Sequence, residues 1–394
     1  MIEKNNASNT SENPTDTQEN TENNTVLHVQ PVTPQNQSTP MFNRSVNGQY
    51  SVGQPNFQPP YTAPTPTTAQ FPQPQKRKPL DRPSMRMGDA VGMPFCMFFI
   101  GSYVLQFAIM LILSIISPTA NNIFSDSNVV IVTSSLISLV VLTVPYLYTL
   151  KVTNSSLAEL ISVKKVSATK TIGLIMAGMG VTAVGNITTN ILSSLSEEFF
   201  DMPFELSVPE FGTDIWSFIL MMLCVGILPA VVEEFAIRGV VLGVLRKRFS
   251  DASAIVISSI AFSLLHGNLQ QIPFAFLVGI VLSYATVYSG SIIPAVIIHG
   301  LNNSISVLLS FAALNMSPMV LTVVNLLYFS LCLLLGICGF ILLSKTDSNA
   351  FKLSSERSEN TGERFKGFFG SGWMIAFIIL SVVQTLLVQG IITE

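Results

Sequence analysis

The sequence predicts an all-α, polytopic membrane helical bundle of about eight or nine transmembrane helices, preceded by a disordered N-terminal tail. Three observations carry this expectation. Hydrophobic residues make up 49% of the 394-residue chain and charged residues only 11%. Mean hydropathy is +0.52 even though a long polar N-terminus dilutes it. Apolar runs of about 20 residues, the length that carries a helix across a bilayer's hydrocarbon core, recur from residue 93 to the C-terminus.

Taken in order, residues 1–75 are dominated by Asn, Thr, Gln, Pro and Ser. Such a segment cannot bury enough apolar surface to offset its ordering entropy, so disorder is expected, and no cleavable signal peptide is visible. A basic patch follows: Lys76, Arg77 and Lys78, with Arg82 and Arg86, directly before the first apolar run. That placement marks a cytoplasmic N-terminus. Spans are expected near 93–117, 128–150, 171–194, 215–245, 252–268, 272–289, 291–314, 318–344 and 371–391, the short fifth and sixth being candidates for broken or re-entrant helices.

The loops agree with one topology. Lys151, Lys164, Lys165 and Lys170 lie between the second and third spans, and Arg246, Lys247 and Arg248 follow the fourth. Lys345, Lys352, Arg357, Arg364 and Lys366 lie before the last. The 195–214 loop, by contrast, holds Glu197, Glu198, Asp201, Glu205, Glu210 and Asp214 with no Lys or Arg. With the N-terminus inside, every Lys- and Arg-rich loop is cytoplasmic and the C-terminus is outside. The organisation expected is a tail with its basic patch (1–88), N-terminal transmembrane helices (89–214), a core (215–314), and C-terminal helices with a cytoplasmic loop at 345–370 (315–394). This makes an integral, multi-pass protein of the cell membrane. Its partners are the lipid bilayer and a membrane-associated molecule, and not nucleic acid.

Smaller features fit. Gly173, Ala177, Gly178 and Gly185 suit close helix packing in the third span, where Asn186 and Asn190 read as interhelical hydrogen-bond formers. The four cysteines fall in apolar runs with no CxxC pairing and read as buried hydrophobes. Neither an internal repeat nor an inverted pseudo-symmetry is visible, which weighs against common transporter architectures. Asn268, Gln270 and Gln271 read as interfacial.

Chemistry concentrates in the fourth, fifth and seventh spans. Glu233 and Glu234 are adjacent within an apolar stretch, and Arg238 follows. Each charge near a bilayer centre costs roughly 2.5–3.5 kcal/mol on insertion scales, so such groups are usually paired, cavity-facing and functional. Two of the three histidines, His266 and His299, also lie in apolar spans. Spans four and five form a hairpin with its tip at 248–251. Counting helix rise from that tip puts Glu233 and His266 at matching heights, roughly 22–26 Å up. Glu234 with Arg238, Phe262 with His266, and His299 with Asn303 each share a helix face.

A carboxylate beside a histidine in a low-dielectric pocket suits general acid/base work. Arg238 can hold Glu234 ionised, leaving Glu233 to activate water with His266. His299 and Asn303 would then donate to a developing oxyanion. The reaction implied is hydrolysis of an acyl bond, most simply a peptide bond. HEXXH and GxSxG are absent, so the usual zincin and serine-hydrolase templates do not apply.

These residues resemble the motifs of the CPBP family of CAAX prenyl endopeptidases and bacteriocin-processing intramembrane proteases, also called the Abi family. Glu233-Glu234 through Arg238-Gly239 is similar to its EExxxR(G) motif, Phe262 to His266 to FxxxH, and His299 to Asn303 to HxxxN. The resemblance covers about residues 215–310, with the motifs in order. It implies Glu233 and His266 as water activators, Glu234 and Arg238 as their support, Phe262 as packing, and His299 with Asn303 as the oxyanion site. The family is often labelled metalloprotease. The spacing permits a Glu233–His266–His299 site for Zn2+ or another divalent metal with an open position for water. It does not demand one, since a Glu–His dyad can activate water alone. The substrate implied is a membrane-associated peptide or protein cut near its C-terminus, in CAAX-type processing or in bacterial peptide or bacteriocin maturation. Two other classes stay open: a non-catalytic immunity factor or scaffold on the same fold, and a proton-coupled transporter using Glu233, Glu234 and His266 as a relay.

Overall fold

The computed structural model describes residues 81–116, 126–200, 212–353 and 360–389. The tail, the basic residues Lys76, Arg77 and Lys78, and the acidic residues Asp201, Glu205 and Glu210 lie outside the described residues. Among the described residues every regular element is helical.

Seven helices are long and apolar enough to cross a membrane: Arg82–Ile116 (α1), Ser127–Val152 (α2), Ala168–Phe199 (α3), Ile215–Leu245 (α4), Gln271–Ser289 (α6), Ile293–Ala313 (α7) and Pro318–Thr346 (α8). Asp251–Leu265 (α5) lies between the fourth and fifth of these. Thr361–Phe369 (α9) and Gly372–Val388 (α10) make an eighth crossing if the two, bent by 62°, count as one. The chain is an all-α, multi-pass integral membrane protein.

Three local departures from the expected spans have physical causes. α1 begins at Arg82 rather than near 93, because Asp81 accepts a hydrogen bond from the Ser84 backbone N–H at 3.2 Å and Pro83 sits in the first turn, where it lacks nothing. The expected fifth span is only the 15 residues of α5, about 22 Å by helix rise, too short to cross. It stops at His266 because Gly267 takes φ +55°, a left-handed conformation that glycine adopts freely. Within the expected 345–370 loop, α9 is amphipathic: Phe368 is fully buried against Phe249, while Lys366 faces solvent beside Glu363.

The basic loops gather at one end of the bundle. Arg248 bridges to Asp81 at 2.8 Å and Lys247 to Glu159 at 2.7 Å. Arg364 donates to the Arg248 carbonyl at 2.7 Å, and Lys170 reaches Asp347 at 3.6 Å. The Ser84 hydroxyl and the Arg248 guanidinium hold the Asp81 carboxyl below the usual carboxylate range. These pairs are partly exposed, so each stabilises the fold only modestly; their value lies in fixing which helix ends meet.

Small residues set the packing of α3. Gly180 crosses Gly336 of α8 so closely that a Cβ on Gly180 would lie 2.5 Å from the Gly336 Cα. Gly178 takes Ile298 of α7, and Gly185 takes Phe274 of α6. Lipid offers helices no hydrophobic drive to associate, so such close approach is how they do so. Gly180→Leu is expected to cost about 1–3 kcal/mol through forced separation of α3 and α8. A lowered melting temperature in detergent checks it, and an unchanged one would show that this crossing carries little of the stability.

Candidate active site

α4 carries the two carboxylates and is not wound uniformly. Met222–Ile227 and Glu234–Val241 are π-helical; the Leu228 N–H reaches the Leu223 carbonyl and the Leu242 N–H the Ile237 carbonyl. A π turn carries an extra residue and redirects the faces around it, often at functional sites. Here Glu233 closes an α-helical stretch and Glu234 opens a π-helical one. The neighbours enter different surroundings.

Glu234 is fully buried, and its Oε1 accepts two charged or polar donors: Arg238 Nη1 at 2.6 Å and His299 Nδ1 at 2.8 Å. The Arg238 guanidinium lies 4.2 Å over the Phe262 ring, and its Nη2 sits 3.5 Å from the Gly279 carbonyl. The cation is thus matched by a carboxylate, a π face and a backbone dipole, while Arg238 Nε and Glu234 Oε2 are buried with no hydrogen-bond partner among the described residues. Glu233 keeps 19% of its side chain exposed, with Oε2 3.9 Å from His299 Nε2. That distance exceeds a hydrogen bond, so Glu233 is not tied down by it.

The histidines are oriented through their Nδ1 atoms. His266 Nδ1 lies 2.9 Å from the Phe262 carbonyl. A carbonyl only accepts, so in the neutral ring Nδ1 carries the proton and Nε2 is the basic atom. His299 is held through Nδ1 by Glu234, which turns Nε2 toward Glu233. The Phe262 ring meets both imidazoles edge-on, with centroids 4.9 Å and 6.0 Å away. Asn303 donates to the Val225 carbonyl at 3.4 Å and accepts from the Asn302 amide at 3.1 Å, so its amide is held on both sides.

Two cavities meet here. The larger, about 570 Å³, is lined by Glu233, Phe262, His266, His299, Asn302 and Asn303, among others. The smaller, about 460 Å³, lies among α1, α2, α4 and α10 and shares Pro229, Glu233, His266 and Gln271 with the first. Its other walls include Ser134, Ser138, Gln106 and Gln384. Glu233 and His266 occupy the common wall.

Residues 215–305 match the family model described as Type II CAAX prenyl endopeptidase Rce1-like. That model is one of the CPBP/CAAX protease family, and the match covers under a quarter of the chain. No curated protein and no solved structure matches the chain.

Within the CPBP segment, Glu233, His266, His299 and Asn303 face the larger cavity. Glu234 and Arg238 sit behind the wall. Among the described residues no group of three or more His, Cys, Asp or Glu side chains is gathered as a ready site for an ion. Both imidazoles are held through Nδ1, His299 by Glu234 and His266 by the Phe262 carbonyl, which leaves both Nε2 atoms unbonded. The pairing expected of Asn186 also differs. It donates to Thr182 of its own helix at 3.0 Å, and both Asn186 and Asn190 line the larger cavity.

Sequence reasoning missed four polar positions around the CPBP centre. Gln271, read as interfacial, lines both cavities because Gly267 turns the chain back immediately after His266. Asn302 is buried and orients Asn303. Gln384, beyond the matched segment, reaches the smaller cavity and accepts from the Tyr103 hydroxyl at 2.8 Å. Ser138 lines the same cavity from α2. Only the clustering of Ser134, Ser135 and Ser138 in an apolar span signalled it. Ser138→Leu fills part of this space, and is expected to raise KM for the substrate with little change in melting temperature; steady-state kinetics on the purified protein check it.

Proposed function

We propose that this protein is an intramembrane endopeptidase in which Glu233 and His266 activate water against a peptide bond. The observation that carries the reading is their position on the wall shared by two cavities, with His299 and Asn303 lining one of them. An extended peptide lying across that wall has room on either side of its scissile bond. It must be unwound there, because a helical backbone shields its carbonyls.

In this mechanism the water oxygen attacks the carbonyl carbon while Glu233, assisted by His266 Nε2, takes the water's proton. The carbonyl oxygen becomes the oxyanion and receives a hydrogen bond from the Asn303 amide, joined by His299 Nε2 when that ring carries a proton on Nε2 as well as on the Nδ1 held by Glu234. Collapse of the tetrahedral intermediate breaks the C–N bond, and the proton held at the dyad passes to the departing nitrogen. A carboxylic acid and an amine result, the acid's proton then passing to the amine or to solvent. A positioned general base supplies about 10²–10⁴-fold and an oxyanion donor about 10²–10³-fold. Glu234 and Arg238 take no part in proton transfer; they fix the His299 ring. No step is routed through a metal.

The substrate fitting the CPBP match is a membrane-associated peptide or protein cut near its C-terminus, either in CAAX-type processing or in maturation of a small peptide at the cell membrane. The test is terminal-peptide mass spectrometry on membranes from cells expressing the wild type or Glu233→Gln at matched levels. New termini that appear only with the wild type establish proteolysis and name the substrate. Identical termini from cells that hold the folded protein and its candidate peptides count against it.

A further inference from the structure

The two cavities extend from Glu233 and His266 in one direction only. On α4 their lining runs from Met221 to Glu233, and no later residue of that helix takes part. On α7 it starts at His299 and runs to Ser310. α5 contributes its last turn, ending at His266, and α6 its first half, from Gln271 to Val278. On the other side of the dyad the space is filled: Ile237, Val240, Val241 and Val244 of α4 are all fully buried. Gly239 and Gly243 there receive Ile161 and Leu160 from the loop before α3, which caps that side.

The closed side is the basic end. The residues following α4 there are Arg246, Lys247 and Arg248, and Lys165, Lys170, Lys352 and Arg364 belong to the same end. At the opposite end the described residues carry Asp126, Glu197, Glu198 and Asp214, and no Lys or Arg. Lys and Arg in short loops mark the cytoplasmic face of a membrane protein.

We infer that the chamber opens away from the cytoplasm and takes a membrane-inserted peptide that presents its scissile bond from the extracytoplasmic side. A C-terminal tail displayed in the cytoplasm would have to cross the packed 237–245 segment to reach Glu233. Of the two substrate classes above, an exported or membrane-inserted peptide fits this opening, and a cytoplasmic lipidated tail does not. The substrate half of the inference rests on the proteolytic reading; the direction of opening does not.

The experiment is thiol labelling of the full chain in sealed, right-side-out membrane vesicles. Cys96, Cys224, Cys332 and Cys338 are replaced by alanine, and a single cysteine is placed at Ser306 or Asn190, both exposed and lining the larger cavity, or at Lys165 on the basic end. A membrane-impermeant maleimide of measurable mass is the probe. Ser306→Cys and Asn190→Cys are expected to gain the mass shift before permeabilisation, and Lys165→Cys only after it. Labelling of either cavity cysteine only after permeabilisation, or of neither under any condition, overturns the inference. No substrate is needed, so this result stands apart from the Glu233→Gln comparison of peptide termini.

Discussion

Glu233→Gln is expected to lower kcat/KM by about 10²–10⁴-fold, the usual contribution of a positioned general base. Stability should hardly change. The carboxylate is partly exposed to the cavity, and the His299 Nε2 atom it faces is 3.9 Å away, beyond hydrogen-bond reach. Removing its charge therefore strands nothing and even relieves a desolvated anion. Kinetics on a peptide spanning the identified cleavage site, beside a thermal melt of the same preparation, measure both. A variant that keeps more than a tenth of wild-type activity would remove Glu233 from the role of base.

Arg238→Met should behave in the opposite way. Glu234 is fully buried and, among the described residues, Arg238 is its only partner of fixed positive charge. Breaking a buried ion pair from one side leaves an uncompensated charge and costs about 3–5 kcal/mol. The expected result is a protein that melts far lower, or fails to accumulate. The double variant Glu234→Gln, Arg238→Met removes both charges, and is expected to regain much of that stability. Activity should stay low in the double variant, because the His299 ring has lost the carboxylate that holds its Nδ1. If the double variant is as unstable as Arg238→Met alone, the pair is not energetically coupled and its role as a support for His299 fails.

The adjacent glutamates show how far sequence reading reaches. That α4, α5 and α7 would bring Glu233, His266 and His299 into one site followed from helix rise and the i,i+4 pairs. The helices themselves were legible because an apolar run of the right length in a membrane has few alternatives to helix. Helical faces, however, assume a constant 3.6-residue period. The π-wound stretch from Glu234 to Val241 breaks that period, yet the Glu234–Arg238 pair at i,i+4 spacing still forms and Glu233 is the carboxylate that lines the cavity. Periodicity does not tell which imidazole nitrogen is occupied, and in His299 it is Nδ1, leaving Nε2 turned toward Glu233. α9 was hidden for another reason. Its apolar face is three phenylalanines among charges, too short a run for a span, yet Phe368 packs fully into the core. Gln384 was hidden by distance in sequence, since nothing in α10 alone reveals that it walls a cavity against α1.

That last wall has an evolutionary consequence. The side chains proposed to hydrolyse the substrate all lie within residues 215–305, while much of the smaller cavity is built by Ser134 and Ser138 before that segment and by Gln384 after it. Chemistry and selectivity are therefore encoded in separable stretches of the chain. Relatives can inherit the same reacting groups as a cassette while their flanking helices diverge, and two proteins with indistinguishable catalytic motifs need not share a single substrate.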